Sequence, residues 1–229
     1  MRVRRFTEVF PRGVIVSCQA PEGDPLRDPR IMAAMARAAE RAGAVGLRAN
    51  GSEDIPAIRG SVSLPLLAIL KQDWPGFDVR ITPTFEAAHD VARFRPEAIA
   101  LDGTSRPRPR GQALGEIIRR AHAELDVLVM ADCATLEDGL RAEQLGADAV
   151  GTTLSGYTAD SPHQPGPDLD LVEALANHLR VPVIAEGRYE TPEHVTEAFR
   201  RGAHAVVIGT AITRPEIIAR RFIAAVPPQ

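Results

Sequence analysis

Val127-Leu-Val-Met-Ala-Asp132 and Val181-Pro-Val-Ile-Ala-Glu186 are the two stretches that decide the fold. Each is an aliphatic run without polar alternation that ends on a carboxylate, the pattern of a parallel strand buried on both faces. Each leads into a helical stretch opened by a threonine, Thr135 or Thr191. The exits from those stretches nearly copy one another: Gly146-Ala-Asp-Ala-Val150 and Gly202-Ala-His-Ala-Val206. The repeat is 54 to 56 residues long and covers two strands, so four such quarters fill nearly all of a 229-residue chain.

Working outward, similar runs occur at Gly13–Gln19, Ala44–Asn50, Leu64–Lys71, Ala98–Asp102, Ala149–Thr153 and Ala205–Gly209, which makes eight. Amphipathic segments lie between them. Ile31, Met35, Ala38 and Ala42 share the spacing of one helical face, as do Val195, Ala198, Phe199 and Gly202 behind the N-cap Thr191 and Pro192. Leu136, Leu140 and Leu145 follow Thr135 in the same way. Strict alternation of strand and helix predicts βαβ units on a parallel sheet, and eight units closing on themselves predict a (β/α)8 TIM barrel, one domain over residues 1–229. An open sheet that binds a dinucleotide would carry a Gly-x-Gly turn, yet no two of the 18 glycines stand two apart.

At 45% hydrophobic and 25% charged residues the composition is that of an ordinary globular chain with ample core material. No apolar run approaches the ~18 residues of a membrane span. A net charge of -3 gives no footprint for nucleic acid or anionic lipid. Met1–Thr7 carries charge but no apolar run after it, so no secretory signal is expected. Two cysteines, Cys18 and Cys133, make no disulfide framework, and a reducing cytoplasm is the expected location. The six histidines show no metal-ligand spacing, so no metal site is expected.

Of 27 Lys and Arg residues only one, Lys71, is a lysine. Arginine keeps its proton at any physiological pH, whereas a desolvated lysine can give it up, so a lone lysine at a strand end is a candidate base or nucleophile. In a barrel the C-terminal strand ends line the active site. Those positions here are Gln19, Arg48, Lys71, Asp102, Asp132, Thr152 with Thr153, Glu186 and Gly209 with Thr210. Asp102 and Asp132 also suit a simpler role, capping a helix or holding a loop. Glu186-Gly-Arg188 and Gly209-Thr-Ala-Ile-Thr-Arg-Pro215 read as a phosphate site, because loops after the seventh and eighth strands often bind phosphate with backbone N–H groups. Trp74 and Pro75 are placed to shield Lys71 from water, and Ser105–Gly111 is a proline-stiffened basic loop suited to the barrel mouth.

Several segments carry a family resemblance. They are Ser17–Ala20, Leu47–Gly51, Ile81–Thr84, Ala100–Asp102 with Arg106–Pro109, Met130–Asp132, Val150–Tyr157, Ile184–Arg188 and Ala211–Pro215. In order along the chain they resemble the N-acetylmannosamine-6-phosphate 2-epimerases, phosphate-binding barrel enzymes of sialic acid catabolism. The resemblance implies interconversion of N-acetylmannosamine 6-phosphate and N-acetylglucosamine 6-phosphate, without cofactor or metal, by a homodimer. Lys71 and Glu186 fall on the family's catalytic positions. Gln19, Arg48 and Asp132 fall on sugar-contacting positions, and Gly187, Arg188, Gly209, Thr210 and Arg214 on the phosphate side. Gly103 and Thr210 replace the alanine and serine expected there.

The chemistry can be weighed separately. Epimerising C2 requires an open-chain aldehyde, a base at C2, a group to assist ring opening and protonation, and donors for the enolate oxygen. A normal lysine is ~3 to 4 pH units too basic to serve as a neutral base at pH 7, so Lys71 needs desolvation or a nearby cation such as Arg48. Glu186 would oppose that change if close, which predicts either that it faces another side of the sugar or that it is protonated for part of the cycle. Other readings of the same residues remain: a Schiff-base aldolase or lyase, an isomerase of another phosphosugar, or a non-catalytic phosphosugar-binding barrel.

Overall fold

All eight runs form parallel strands in the structure, a computed structural model in which residues 5–227 are described; the charged start Met1–Arg4 lies outside them. The strands are β1 (Gly13–Cys18), β2 (Gly46–Asn50), β3 (Leu66–Ile69), β4 (Ala98–Asp102), β5 (Leu128–Asp132), β6 (Ala149–Gly151), β7 (Val183–Glu186) and β8 (Ala205–Ile208). They are hydrogen-bonded in sequence order, and the pairing of β8 with β1, from Gly13 opposite Ala205 to Val16 opposite Ile208, closes the barrel. The helices are α1 (Phe6–Val9), α2 (Pro29–Arg41), α3 (Gly51–Arg59), α4 (Phe85–Ala92), α5 (Leu114–Arg120), α6 (Leu136–Gln144), α7 (Leu169–His178), α8 (Pro192–Arg200), α9 (Thr210–Thr213) and α10 (Pro215–Ala224).

The repeated quarters keep their likeness in three dimensions. Thr135 caps α6 by accepting from the Asp138 N–H, and Thr191 caps α8 by accepting from the His194 N–H. Each such cap is worth about 1 kcal/mol. Gly146 and Gly202 then end the two helices at φ 96° and 98°, a left-handed conformation that glycine adopts without steric cost.

Two apolar layers surround the sheet. Outside it, helix residues such as Met32, Ile58, Val91, Ile117 and Leu175 pack on strand residues Leu47, Leu101 and Val129. Inside it, Ile15, Leu67, Ile69, Met130, Ile184 and Val207 fill the tube. Its foot is stoppered by Phe6 and Phe10, stacked at 4.8 Å, with the Phe10 ring lying over Gly46 where a β-carbon would come within 2.7 Å. Fully burying each large aliphatic side chain stabilises the fold by about 1.5–3 kcal/mol. That apolar filling stops short of the C-terminal ends, and there the charge begins.

Two helical faces differ from the sequence expectation. On α2 the buried stripe is Met32, Ala33, Ala36 and Ala39, while Ala38 and Ala42 are exposed and Ile31 and Met35 flank the contact. Two stripes one residue apart fit the same period, and the alanine-rich one lets the helix approach the strands more closely. On α6, Gly139 and Ala142 face the core, and Leu145 lies partly open beside Gly115.

Candidate active site

A cavity of about 1010 Å³ opens at the C-terminal ends of the strands. Strands β3 and β7 stand four apart in either direction round an eight-stranded ring, so the residues at their ends face one another across it. Those residues are Lys71 and Glu186, and both line the cavity. The chain just after β3 is held firmly. The Lys71 N–H donates to Asn50 Oδ1 at 2.8 Å, and Lys71 forms an antiparallel bridge with Ile81. Thr82 N–H donates to the Leu70 carbonyl (2.9 Å), and its hydroxyl accepts from the Leu70 N–H (3.2 Å) and donates to the Ala100 carbonyl (2.7 Å). Thr82 sits at φ 42°, a conformation costing a β-branched residue about 1–3 kcal/mol, and these bonds hold it there.

Arg48 crosses the barrel beneath the cavity. Its Nη1 and Nη2 grip the Asp132 carboxylate at 3.1 and 2.5 Å, and Nη1 also donates to Glu186 Oε2 at 2.5 Å. Exposure grades upward: 0% for the Asp132 side chain, 1% for Arg48 and 15% for Glu186. Arg48 and Asp132 thus form the floor, with Glu186 above them reaching the open space. The Thr153 hydroxyl lies 2.6 Å from Asp132 Oδ1 and 3.0 Å from Glu186 Oε2. Thr152 fixes the Glu186 backbone, donating to its carbonyl at 2.9 Å and accepting from its N–H at 3.0 Å. Gly151 leaves the slot in which these groups meet, for a β-carbon there would fall 2.3 Å from the Met130 methyl and 3.2 Å from Asp132 Oδ1.

The protein surroundings shift both Glu186 and Lys71. Burial raises Glu186 to about 7; Arg48 opposes the shift and the Asp132 carboxylate adds to it. Lys71 is pulled below its ordinary value, first by its place inside the protein-walled mouth and then by the Arg48 cation, with Glu186 and Asp132 opposing. Lys71 itself is open to the cavity, so the full desolvation of a sealed lysine does not apply. Burial works against the charge on Arg48, but its two carboxylates outweigh this and push its pKa up.

The remaining candidates divide into free and engaged groups. Gln19 lines the cavity and donates to Ser17 Oγ at 2.7 Å, while its Oε1 is buried and unpartnered among the described residues. Gly187, Arg188, Gly209, Thr210 and Arg214 line the same cavity. Arg188 is already occupied: its Nε donates to the Gly166 carbonyl (2.5 Å) and its Nη1 to that of Ser155 (2.6 Å), with the guanidinium 5.4 Å from the centre of the Tyr157 ring. Arg214 pairs with Asp24 at 2.8 Å. The first-turn N–H groups of α9, on Thr210 and Ala211, have no carbonyl acceptor within their helix.

Asp102 organises the basic loop, accepting from the Thr104 N–H (2.9 Å), the Thr104 hydroxyl (2.6 Å) and Arg106 (2.6 Å), while Arg108 bonds its backbone carbonyl. Arg106 lines the cavity, so that loop does reach the mouth. Trp74 does not shield the base. It turns away to bond Gln72 and lie under Arg110, and the cavity wall beyond Lys71 is made by Asp73, Asp78, Arg80 and Ile81. Cys18 and Cys133 are buried thiols, Cys18 pushed up to about 12 by burial and then by Asp54. Among the described residues no group of three His, Cys, Asp or Glu is placed to hold a metal ion. His122 bonds Asp148 and His204 the Phe10 carbonyl, both ahead of the strands at the far end. Asn50 and Thr82 help place Lys71, and in the sequence nothing marks them beyond their membership of the segments Leu47–Gly51 and Ile81–Thr84.

A closed parallel barrel whose mouth holds an amine opposite a carboxyl of raised pKa, over a buried arginine, is a barrel enzyme equipped for acid–base chemistry. Residues 32–227 match the family described as "Putative N-acetylmannosamine-6-phosphate epimerase". A protein of Caldanaerobacter subterraneus named for the corresponding 2-epimerase is 50% identical over 212 residues, 92% of this chain and 90% of its own. One from Enterobacter sp. (strain 638) is 46% identical over 227 residues, 98% and 97% of the two chains. The solved N-acetylmannosamine-6-phosphate 2-epimerase of Clostridium perfringens superposes with a TM-score of 0.92 at 41% identity, covering 95% of this chain and 94% of that one. The chain belongs to this family of isomerases.

Proposed function

We propose that this protein interconverts N-acetyl-D-mannosamine 6-phosphate and N-acetyl-D-glucosamine 6-phosphate by removing and returning the C2 proton of the ring-opened sugar, in the catabolism of amino sugars such as sialic acid. The observation that carries the reading is the opposed placement of Lys71 and Glu186 across one cavity, with Arg48 bound to Glu186 from beneath. Epimerisation removes a proton from one face of C2 and delivers one to the other, which two groups on opposite walls are placed to do.

The charges of the site make this workable. Lys71 and Arg48 balance Asp132 and Glu186 when all four are ionised. Moving one proton from Lys71 to Glu186 leaves the balance unchanged and yields a neutral amine facing a neutral acid. An ordinary lysine neutralised at pH 7 would cost roughly 4 to 5 kcal/mol. A lowered Lys71 and a Glu186 near 7 both reduce that cost. Lys71 and Glu186 are the catalytic residues, one taking the C2 proton and the other supplying its replacement. The intermediate enolate carries its charge on O1 beside these donors. The reaction as written consists of proton transfers between the sugar and these two side chains, without cofactor or metal.

Gln19, with its free amide oxygen, contacts the sugar directly, and Arg48 and Asp132 act on it from below through Glu186. The phosphate lies toward Gly187, Arg188, Gly209, Thr210 and Arg214, where glycine backbone and the first turn of α9 supply N–H donors beside two engaged arginines. The protein works as a homodimer in the cytoplasm. Association is supported by α10, which buries none of its residues and leaves Phe222 76% exposed beside Ile223. The two free thiols suit a reducing compartment.

Proton NMR of N-acetylglucosamine 6-phosphate incubated with the protein in D2O tests the reading, with Lys71→Ala alongside. The expected result is the mannosamine epimer carrying deuterium at C2, absent with the variant. Substrate unchanged, with its C2 proton intact, overturns it.

A further inference from the structure

Thr153 stands where one hydroxyl faces two carboxylates, at 2.6 Å from Asp132 Oδ1 and 3.0 Å from Glu186 Oε2. A hydroxyl has one proton to give, together with lone pairs that accept. With both carboxylates ionised, one of them must therefore meet a lone pair. The shorter contact identifies the acceptor: the proton goes to Asp132. A lone pair of Thr153 then points at Glu186, and that contact is favourable only when Glu186 carries a proton of its own.

Of the other groups facing Glu186, Arg48 favours its ionised form and Asp132 its protonated one. Arg48 Nη1 has two N–H bonds, one directed to Asp132 and one to Glu186 Oε2, which can be accepted whether or not Glu186 is protonated. Thr152 engages only its backbone. Lys71 faces it across the cavity, and Asp132 lies beneath it. We propose that Thr153 is a positioning residue that holds Glu186 in its protonated form, accepting from the Glu186 carboxyl while donating to Asp132. The inference rests on the acid–base role given to Glu186 above. In that role the Glu186–Thr153–Asp132 chain keeps the acid loaded, with its proton on Oε2, until the carboxyl turns to pass it to the sugar. Burial and the Asp132 carboxylate raise Glu186, and a Thr153 hydroxyl donating to Glu186 would act the other way.

The test reads Glu186 directly and separately from turnover. Protein labelled with carbon-13 at the glutamate carboxyl is titrated by NMR, and Glu186→Gln identifies the Glu186 signal by its loss. In Thr153→Val, which keeps the shape without the hydroxyl, the Glu186 midpoint is expected to fall by roughly half a unit or more, with the matching limb of the pH–rate profile moving in step. Thr153→Ser keeps the hydroxyl and is expected to keep the wild-type midpoint. Thr153→Ala serves as the hydroxyl-free variant should the valine protein not fold. An unmoved midpoint in the hydroxyl-free protein, an upward one, or a fall shared by the serine variant overturns the proposal. An upward shift would mean that the hydroxyl proton goes to Glu186 instead. A wild-type protein that leaves C2 unexchanged in D2O counts against the epimerase reading alone, because the titration needs no turnover.

Discussion

The ends of β5 and β7 began as near copies in sequence and serve opposite purposes in the fold. Both strands read Val-x-Val-x-Ala followed by an acid, both precede a threonine-capped helix, and both acids bind the same arginine. The difference is one methylene. Asp132 stops at Arg48, takes both of its terminal nitrogens and is sealed from solvent; Glu186 reaches past Arg48 into the cavity. A counter-ion must be fixed and ionised, whereas a group that passes protons must be able to exist in either state. On the proposed chemistry a duplicated strand end supplies both, with side-chain length deciding which is which.

The comparison can be broken most severely by neutralising each acid in turn. Glu186→Gln is expected to lower turnover about 10²–10⁴-fold while the protein stays folded, because Gln still accepts from Arg48. Asp132→Asn is expected to act first on stability. It leaves Arg48 without its main partner in a sealed site, at a cost of about 3–5 kcal/mol in denaturant unfolding. Equal losses of stability in the two variants, or of activity alone in both, would erase the distinction between them.

Shortening the reach is a milder break. Glu186→Asp makes the two ends identical and withdraws the acid from the cavity. Turnover is expected to fall about 10–100-fold with binding of the sugar phosphate less affected, seen as a larger change in kcat than in KM. A variant as active as wild type would show that the extra methylene is incidental.

The pH dependence of stability sharpens the contrast further. Glu186 titrates near 7 when folded, against an ordinary 4.5. A carboxyl raised on folding contributes fully below its unfolded value, and that contribution is lost as pH rises through the folded one. Between about pH 4.5 and 7 the wild type should therefore lose stability relative to Glu186→Gln. Urea unfolding of both proteins at pH 5 and pH 8 checks this, and parallel pH responses would refute it.

The smallest effect is expected at the cysteines. Cys133 follows Asp132 directly, yet both thiols are buried and held far from ionisation. Iodoacetamide at neutral pH should leave activity unchanged over an hour or so; rapid inactivation would show a more open floor beneath the site.

The barrel was legible because buried parallel strands need aliphatic runs, and eight such runs were present in regular alternation with helices. Lys71 and Glu186 were legible for a related reason, since strand ends define the mouth and Lys71 is the sole lysine. The inner face of α2 was not, because two stripes a residue apart share one period and only docking selects between them. The floor was not legible either. That Arg48 spans the tube to reach acids 84 and 138 residues away is a fact of side-chain reach, which spacing along a chain does not encode. Trp74 illustrates the same limit: adjacency in sequence placed it by the base, and the turn at Pro75 carried its ring elsewhere.

The stopper formed by Phe6 and Phe10 closes the foot of the barrel, and the doorway to its cavity lies at the C-terminal strand ends. On the proposed chemistry, a sugar phosphate seated in the mouth stands between that doorway and these groups, and the hydrogen taken from C2 waits there with the few others held by Lys71, Glu186 and Thr153. The interior becomes a small isotope reservoir, refreshed only when the doorway opens. The fraction of product that emerges labelled from heavy water then counts those openings, so the molecule carries its own clock for substrate exchange.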